Sequence, residues 1–431
     1  MASFDFILVL SILVSILAAH SSASLSFPLT SHPRTLYSTP RQRMLAATQA
    51  TPTSNIFSTK YSMALVVSLP VGTPPQPQNM VVDTGSQLSW IHCNNRLKPT
   101  LATSDASPSS TSSFNPTASS SFSSLSCNSA TCRPRVPDYT VPTACDQKQQ
   151  CSYSYFYADG TLAEGNLVTE KLATSSSSLI LGCSASSPDD NGILGMNMGR
   201  LSALSQWNIS KFSYCVPPRA SRSSASATGA FVLGENRDAT GLKYVPMMAF
   251  PSSQQMPNLD PLAYTVPMRD IRVGSNALNI SLAAFRPNAG GSGQTFVDSG
   301  SELTYLVDEA YDKVREAVGK LVGAMMKRDF SFGGAADMCF DMKNGPIVEK
   351  AIGSLGLQFD GGVEIPIEQN SLLTDVGDGV LCIAIGRSSM LGSAANIIGN
   401  VHQQNLWVEY DVGGRRIGFG AADCSTSYSQ R

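Results

Sequence analysis

Residues 81–90 read VVDTGSQLSW, and residues 296–305 repeat the pattern as FVDSGSELTY. In each copy two apolar residues lead into an aspartate, which is followed by Ser or Thr, by Gly and by Ser. An apolar run that ends in such residues is typical of a strand that delivers a carboxylate into a tight turn. The repeat therefore predicts two equivalent turns, one carrying Asp83 and the other Asp298.

A second pair of motifs follows in the same order, GILG at residues 192–195 and NIIG at residues 396–399. Their last glycines lie at similar offsets, 112 and 101 residues, from the two aspartates. Two copies of one structural unit explain such a repeat, and a chain of 431 residues is long enough for two folded units. We place the first lobe at residues 60–237 and the second at residues 238–431.

The local signals are mostly those of β-strands. The apolar runs at residues 63–69 and 78–83 bracket the breaker GTPP at residues 72–75, and they predict two strands. Residues 308–327 instead keep apolar side chains at helical spacing, with acidic residues in the first turn, and predict a helix. We expect a mostly β protein in which each aspartate follows a strand.

Two aspartates at matching positions of related lobes can meet at the axis that relates the lobes. Gly85 and Gly300 allow the backbone to bend tightly beside them. Two carboxylates about 3 Å apart do not easily both ionise and therefore share one proton, so that the pair offers a base and an acid. Asp83 and Asp298 are thus candidate catalytic residues that activate a water for attack on an amide carbonyl. This chemistry requires no cofactor and no metal.

Four hydroxyl groups flank the two aspartates in the repeat. We expect Thr84 and Ser299 to brace the two loops against each other through hydrogen bonds. We expect Ser86 and Ser301 to bind the outer carboxylate oxygens. With the two glycines, these side chains would support the active site.

The twin motifs DTG at residues 83–85 and DSG at residues 298–300 resemble the signature of the pepsin-like aspartic proteases. The resemblance runs from about Tyr61 to Cys424. It implies a bilobal pepsin-like fold, with two pseudo-twofold-related β-barrel-like lobes and an active-site cleft between them. It also implies an aspartic endopeptidase that cleaves peptide bonds, with an acidic pH optimum.

The stretch YSYFYADGT at residues 153–161 is similar to the flap that covers the substrate in this family. The resemblance implies that Tyr157 closes over the scissile bond and forms a hydrogen bond with Trp90. Asp159 and Gly160 belong to the same flap and are candidate substrate-binding residues.

The segment at residues 397–419 is similar to the C-terminal strands of the plant nepenthesin-like branch. Ten cysteines follow the N-terminal apolar run, seven in the first lobe and three in the second, so complete pairing requires an odd number of bridges between the lobes. The resemblance implies a bridge between Cys339 and Cys382, which leaves Cys424 to pair across the lobes, with Cys215 as our candidate partner. A zinc site is the less favoured use of these cysteines, because no C-x-x-C motif occurs.

The first 59 residues differ in character from the rest. Residues 6–19 form an apolar run too short to cross a bilayer comfortably, and small residues follow it, so we predict a signal peptide at residues 1–23 with an N-terminal membrane anchor as the alternative. Residues 24–59 carry three arginines and no acid and predict a removable leader that docks over an acidic cleft. The sequons at Asn208 and Asn279 are candidate glycosylation sites. These features predict the secretory pathway as the compartment, either the endomembrane lumen or outside the cell.

The charge balance limits the partners. Lys and Arg total 30 against 32 Asp and Glu, a formal net charge of -2, which argues against nucleic acid. We expect a monomer without a membrane span after signal removal, acting on a peptide or protein substrate. The alternative is a catalytically silent binding protein that inhibits cell-wall hydrolases, because some plant relatives keep the fold and have lost one or both aspartates. Since both aspartates are present here, the sequence favours catalysis.

Overall fold

The computed structural model describes residues 24–34, 62–93, 113–133, 141–158, 160–173, 178–186, 191–218, 227–250 and 256–425. Strand is the predominant regular structure among them, as the sequence predicted. The helices are α1 (Ala203–Trp207), α2 (Asp308–Val322) and α3 (Gly345–Ile352). The strands are β1 (Leu25–Arg34), β2 (Ser62–Val71), β3 (Gln76–Asp83), β4 (Trp90–His92), β5 (Ser123–Ser124), β6 (Thr143–Cys145), β7 (Cys151–Phe156), β8 (Leu162–Glu170), β9 (Leu179–Ser186), β10 (Gly192–Gly195), β11 (Lys211–Cys215), β12 (Thr228–Leu233), β13 (Lys243–Pro246), β14 (Met268–Val273), β15 (Asn276–Ala277), β16 (Thr295–Val297), β17 (Thr304–Leu306), β18 (Cys339–Asp341), β19 (Leu355–Phe359), β20 (Glu364–Ile367), β21 (Leu373–Gly377), β22 (Val380–Ile383), β23 (Ile385–Arg387), β24 (Asn396–Ile398), β25 (Leu406–Asp411) and β26 (Arg416–Ala421).

The sequence repeat corresponds to a repeated strand topology. In the first lobe β3 pairs in parallel with β10, β10 pairs antiparallel with β4, and β4 pairs in parallel with β9. In the second lobe β16, β24, β17 and β23 repeat this order and these directions. Each aspartate motif therefore follows the first strand of a four-strand unit, beside the strand that carries the later Gly-terminated motif.

The sheets are open in the described part of the chain. The largest has the order β13-β26-β25-β11-β12-β1-β2-β3-β10-β4-β9-β8-β7-β6, with β5 on β8, and it runs through both lobes. Its end strands β13 and β6 belong to different lobes and do not pair with each other in this order, so the sheet does not close into a barrel. The lobes, which we expected to be barrel-like, are built from packed open sheets, and the bilobal pepsin-like fold is otherwise as predicted.

The individual elements lie close to their predicted bounds. Strands β2 and β3 extend the two apolar runs by one to two residues at their ends, and the GTPP breaker forms the turn between them. Helix α2 buries Tyr311, Val314 and Val318 on one face, as its spacing predicted. It ends at Val322, earlier than predicted, because a 3-10 turn begins at Gly323, and glycine is a poor helix former.

The described part of the predicted leader is a strand of the large sheet. Strand β1 pairs antiparallel with β12 through residues 25–30 and with β2 through residues 29–34. Leu29 is fully buried in the core. We expected the leader to lie over the cleft, and for residues 25–34 this is wrong, because their backbone completes the ladder between two other strands. Residues 35–59 lie outside the described residues.

Five disulfides join all ten cysteines. The structure contains both pairs proposed from the sequence, Cys339 with Cys382 inside the second lobe and Cys215 with Cys424. The latter bridge joins strand β11 to the segment after β26, across a sequence separation of 209 residues. It ties the C-terminal segment to an interior strand of the sheet shared by the lobes.

Removing this bridge should cost more stability than removing the bridge inside the second lobe. The double variant C215A/C424A should lose about 2 to 5 kcal/mol of unfolding free energy, and C339A/C382A about 1 kcal/mol less, since its loop spans only 43 residues. Denaturant unfolding at neutral pH measures both. Equal stability of C215A/C424A and the wild type would contradict the prediction.

The predicted signal peptide lies outside the described residues. Within the described ranges, no helix has both the length and the apolar character needed to cross a membrane.

Candidate active site

The two aspartate loops, which are the turns that carry Asp83 and Asp298, are joined by reciprocal hydrogen bonds. Thr84 N–H donates to Ser299 Oγ at 3.2 Å, and Ser299 N–H donates to Thr84 Oγ1 at 2.9 Å. The Ser299 hydroxyl donates to the Val82 carbonyl at 2.6 Å, and the Thr84 hydroxyl lies 3.4 Å from the Val297 carbonyl. All these groups are buried, so the contacts lock the turns of the two lobes together.

Each carboxylate is held in the same way by its own turn. Asp83 Oδ1 accepts from Gly85 N–H at 2.9 Å, and Oδ2 accepts from the Ser86 hydroxyl. Asp298 Oδ1 accepts from Gly300 N–H at 2.9 Å, and Oδ2 accepts from the Ser301 hydroxyl at 2.6 Å. The side chains are only 6% and 7% exposed. Each turn thus supplies its own aspartate with a backbone donor and a hydroxyl donor.

The inner oxygens of the two carboxylates, Asp83 Oδ1 and Asp298 Oδ1, both lie close to Gly300. A Cβ atom at position 300 would lie 2.2 Å from Asp83 Oδ1 and 3.3 Å from Asp298 Oδ1. The two oxygens are therefore no more than 5.5 Å apart, the sum of 2.2 and 3.3 Å. A water at about 2.8 Å from each oxygen spans a gap of up to about 5.6 Å. The upper limit on the gap is thus within the span of a single solvent molecule.

The later motifs hold the aspartate turns from behind. The Ser89 hydroxyl accepts from Gly195 N–H at 3.1 Å, and the Thr304 hydroxyl accepts from Gly399 N–H at 3.2 Å. These residues occupy equivalent positions of the repeat. The Ser or Thr before each aromatic residue therefore links the first motif of each lobe to its second motif.

The predicted flap is a β-hairpin of β7 and β8 above the first aspartate. Trp90 Nε1 donates to the Tyr157 hydroxyl at 2.7 Å. Burial raises the pKa of Tyr157 well above its usual range, and the negative charge of Asp83 adds to the rise. Gly160 takes a positive φ of 87° in the turn, which glycine adopts without strain. Asp159 lies outside the described residues.

Comparison with known proteins identifies the family of this chain. The families described as xylanase inhibitor N-terminal and xylanase inhibitor C-terminal match residues 65–235 and 263–421. The aspartic proteinase PCS1 of Arabidopsis thaliana is 34% identical over 411 residues, which cover 88% of this chain and 87% of the relative. The chain belongs to the pepsin-like aspartic protease family. Nepenthesin-1 of Nepenthes gracilis, 32% identical over 84% of this chain and 78% of its own, places the protease in the plant nepenthesin-like branch. It is a hydrolase of the aspartic type.

Solved structures support the fold of the protease. The basic 7S globulin from soybean matches with a TM-score of 0.61 at 14% identity and covers 94% of this chain and 99% of its own. Conglutin gamma from lupine seeds matches with a TM-score of 0.62, also at 14% identity, over 95% of this chain and 99% of its own. At this identity the likeness concerns the fold alone.

Other residues near the aspartates escaped the sequence prediction. Asn400 Nδ2 donates to the Ser299 carbonyl at 3.0 Å, and Asn197 Nδ2 lies 3.5 Å from the Gly85 carbonyl. Both asparagines directly follow the later motifs or lie one residue beyond. Asn400 follows its motif directly and Asn197 lies one residue further on, so the repeat does not align them, and their nearness to the later motifs is the signal that could have identified them.

The remaining candidates lie away from the aspartates. The sulfurs of Cys127, Cys132 and Cys145 lie close together, but each is in a disulfide, so none is a free thiolate for zinc. Asn208 and Asn279 are both exposed, so glycosylation at either is sterically open and stays a prediction.

Proposed function

We propose that this protein is an aspartic endopeptidase in which Asp83 and Asp298 share one proton and activate a water between them. The single observation that supports this most is the approach of the two inner carboxylate oxygens to within 5.5 Å, each carboxylate being held by matching donors. Both carboxylates are nearly buried, where repulsion between two like charges is strong. One proton shared by the pair relieves that repulsion.

The geometry accounts for the acid and base roles together. The ionised carboxylate takes a proton from the water as the water oxygen attacks the carbonyl carbon of the scissile amide. The protonated carboxyl hydrogen-bonds to the carbonyl oxygen as negative charge develops there, and a proton passes to the leaving nitrogen when the C–N bond breaks. Serine hydroxyls and glycine amides fix the carboxylates, so the pair is positioned before substrate binds.

The flap and the lobes suit an extended peptide substrate. Tyr157 is anchored to Trp90 by a hydrogen bond of 2.7 Å, and the hairpin tip carries an exposed Phe156. We infer that the hairpin closes over the bound peptide and excludes water from the reaction. The protein would act as a monomer in the secretory pathway, consistent with five disulfides.

Cleavage of a denatured protein in the acidic range tests this function. Protein that retains strand β1 should cleave at a pH of about 3 to 5 and should lose activity toward neutral pH, because both carboxylates then ionise and the acid is lost. Pepstatin, a transition-state analogue, should block the cleavage. Absence of cleavage would instead favour the inhibitor of cell-wall hydrolases, and binding to a xylanase would then be the next measurement.

A further inference from the structure

A group of polar side chains is buried beneath the two aspartate loops. Tyr214 on β11, Gln403 after β24 and Tyr410 on β25 are each fully buried. The repeated motifs do not include them. A buried polar group costs free energy unless it is hydrogen-bonded. Tyr214 is hydrogen-bonded to both Gln403 and Tyr410, and these two contact the aspartate loops.

The hydrogens of this group have one consistent arrangement. Gln403 Nε2 donates to the carbonyl oxygens of Ile398 at 2.8 Å and Asp298 at 3.3 Å, which leaves Oε1 as an acceptor. Tyr214 donates its hydroxyl hydrogen to that oxygen at 2.5 Å. The hydroxyls of Tyr214 and Tyr410 are 3.0 Å apart. Tyr410 must donate in this contact, because Tyr214 has only one hydroxyl hydrogen.

This chain of hydrogen bonds ends at the Thr84 hydroxyl. The Tyr410 oxygen has given its hydrogen away and is an acceptor for Thr84 Oγ1, 3.5 Å distant. Thr84 Oγ1 accepts from Ser299 N–H and has one hydrogen of its own to donate. The acceptors around that hydrogen are the Tyr410 oxygen, the Val297 carbonyl at 3.4 Å and Asp298 Oδ1 at 3.5 Å.

The two aspartate loops differ in the hydrogen bond that the Ser or Thr hydroxyl makes to the opposite loop. On the other loop the Ser299 hydroxyl donates to the Val82 carbonyl at 2.6 Å, a short hydrogen bond. The equivalent distance from Thr84 to the Val297 carbonyl is 3.4 Å. The longer contact leaves the Thr84 hydrogen divided among several acceptors, and it occurs on the side where Tyr410 lies.

We propose that Tyr410 is a positioning residue for the aspartate pair, which draws the Thr84 hydroxyl hydrogen toward itself and away from Asp298 Oδ1. The proposal rests on the proposed function of that pair. Without the Thr84 hydrogen bond, the ionised form of Asp298 is less favoured. The pair then retains its shared proton to a higher pH, and activity extends further toward neutral pH.

Several ionisable groups surround Asp298. Asp83 faces it from the opposite loop. Burial, together with the charge of Asp298, raises the pKa of Asp260, in the segment before β14, and also that of Tyr214 and Tyr410 beneath the loops. Burial raises the pKa of both tyrosines above their usual range, so they stay neutral during catalysis and act through hydrogen bonds.

The test is the pH profile of kcat/KM for Tyr410→Phe with a denatured-protein or peptide substrate. Loss of the Tyr410 oxygen frees the Thr84 hydrogen for Asp298, and the basic limb should move down by about 0.5 to 1 pH unit. Tyr214→Phe should shift it in the same direction, because Tyr410 would then turn its hydrogen toward Thr84. This second variant keeps the proposal testable if Tyr410→Phe does not fold.

Tyr264→Phe is the matched control. Tyr264 is fully buried, its ring centroid lies 4.5 Å from that of Tyr410, and its hydroxyl donates to the Met196 carbonyl at 2.6 Å. Removing this hydroxyl should lower thermal stability and leave the pH profile unchanged. The proposal is overturned, while the proposed function stands, if neither Tyr410→Phe nor Tyr214→Phe shifts the basic limb of the pH profile. An equal shift of that limb in Tyr264→Phe overturns it as well. Failure of the wild type to cleave at any pH overturns both.

Discussion

Replacing Asp83 with asparagine is expected to lower kcat/KM by about three orders of magnitude or more. The amide oxygen can still accept the Gly85 N–H hydrogen bond of 2.9 Å, so the turn keeps its shape. The amide cannot take a proton from water, and the pair loses its base. Asp298→Asn should have an effect of the same order, because either change leaves a single carboxyl group. Peptide cleavage at the acidic optimum measures the loss, and thermal unfolding checks that the fold persists.

Asp260→Asn is the control for a change of charge near the site. Burial raises the pKa of Asp260, and the charge of Asp298 adds to the rise. Asp260 Oδ1 accepts from Leu262 N–H at 2.8 Å and has a structural role in its loop. This variant should retain most of the activity. Near-wild-type cleavage by Asp83→Asn would be incompatible with the two-aspartate mechanism, whatever the control shows.

The candidate site was largely predictable from the sequence because its parts lie within one short repeat. The aspartate and the Ser or Thr, Gly and Ser that follow it are four consecutive residues, so local turn chemistry specifies their geometry. What the repeat did not specify was the pairing of β3 with β10, a parallel contact between segments more than a hundred residues apart. Only the matching order of the later motifs indicated it.

Strand β1 was missed for a different reason. Pro28 and Pro33 interrupt the pattern of its ten residues, and proline cannot donate to a strand ladder. The strand forms because each of its halves needs to pair fully with only one neighbour, residues 25–30 with β12 and residues 29–34 with β2. The surrounding sheet supplies the partners that the local sequence does not indicate.

The buried tyrosines were missed because no local signal joins them. The hydrogen bond from Tyr214 to Gln403 spans 189 residues of sequence. Strand β25, which carries Tyr410, is buried along its whole length, so it lacks the alternation that marks an inward-facing polar side chain. The partners of such residues are specified by the packing of the lobes, which the sequence repeat does not encode.

Replacing Gly300 with alanine should have the second largest effect on catalysis. The new Cβ would lie 2.2 Å from Asp83 Oδ1, so that carboxylate has to move. A displacement of about 1 Å in a reacting group can cost about a hundredfold in rate, and we expect at least that loss in kcat. The reason is steric, so the charge of the site is unchanged.

Gly85→Ala is the matched comparison, because it changes the same residue type at the equivalent turn. Its Cβ would lie 3.0 Å from the Asp298 carboxylate, a close contact that a shift of a few tenths of an ångström relieves. Gly85→Ala should therefore lose less kcat than Gly300→Ala, with both proteins folded by circular dichroism. A larger loss of kcat in Gly85→Ala than in Gly300→Ala would contradict this geometry. It would mean that Asp83 Oδ1 does not lie closer to Gly300 than the Asp298 carboxylate lies to Gly85. Since that oxygen must also face the shared water, the ranking of the two alanine variants reports directly on the geometry from which the mechanism is argued.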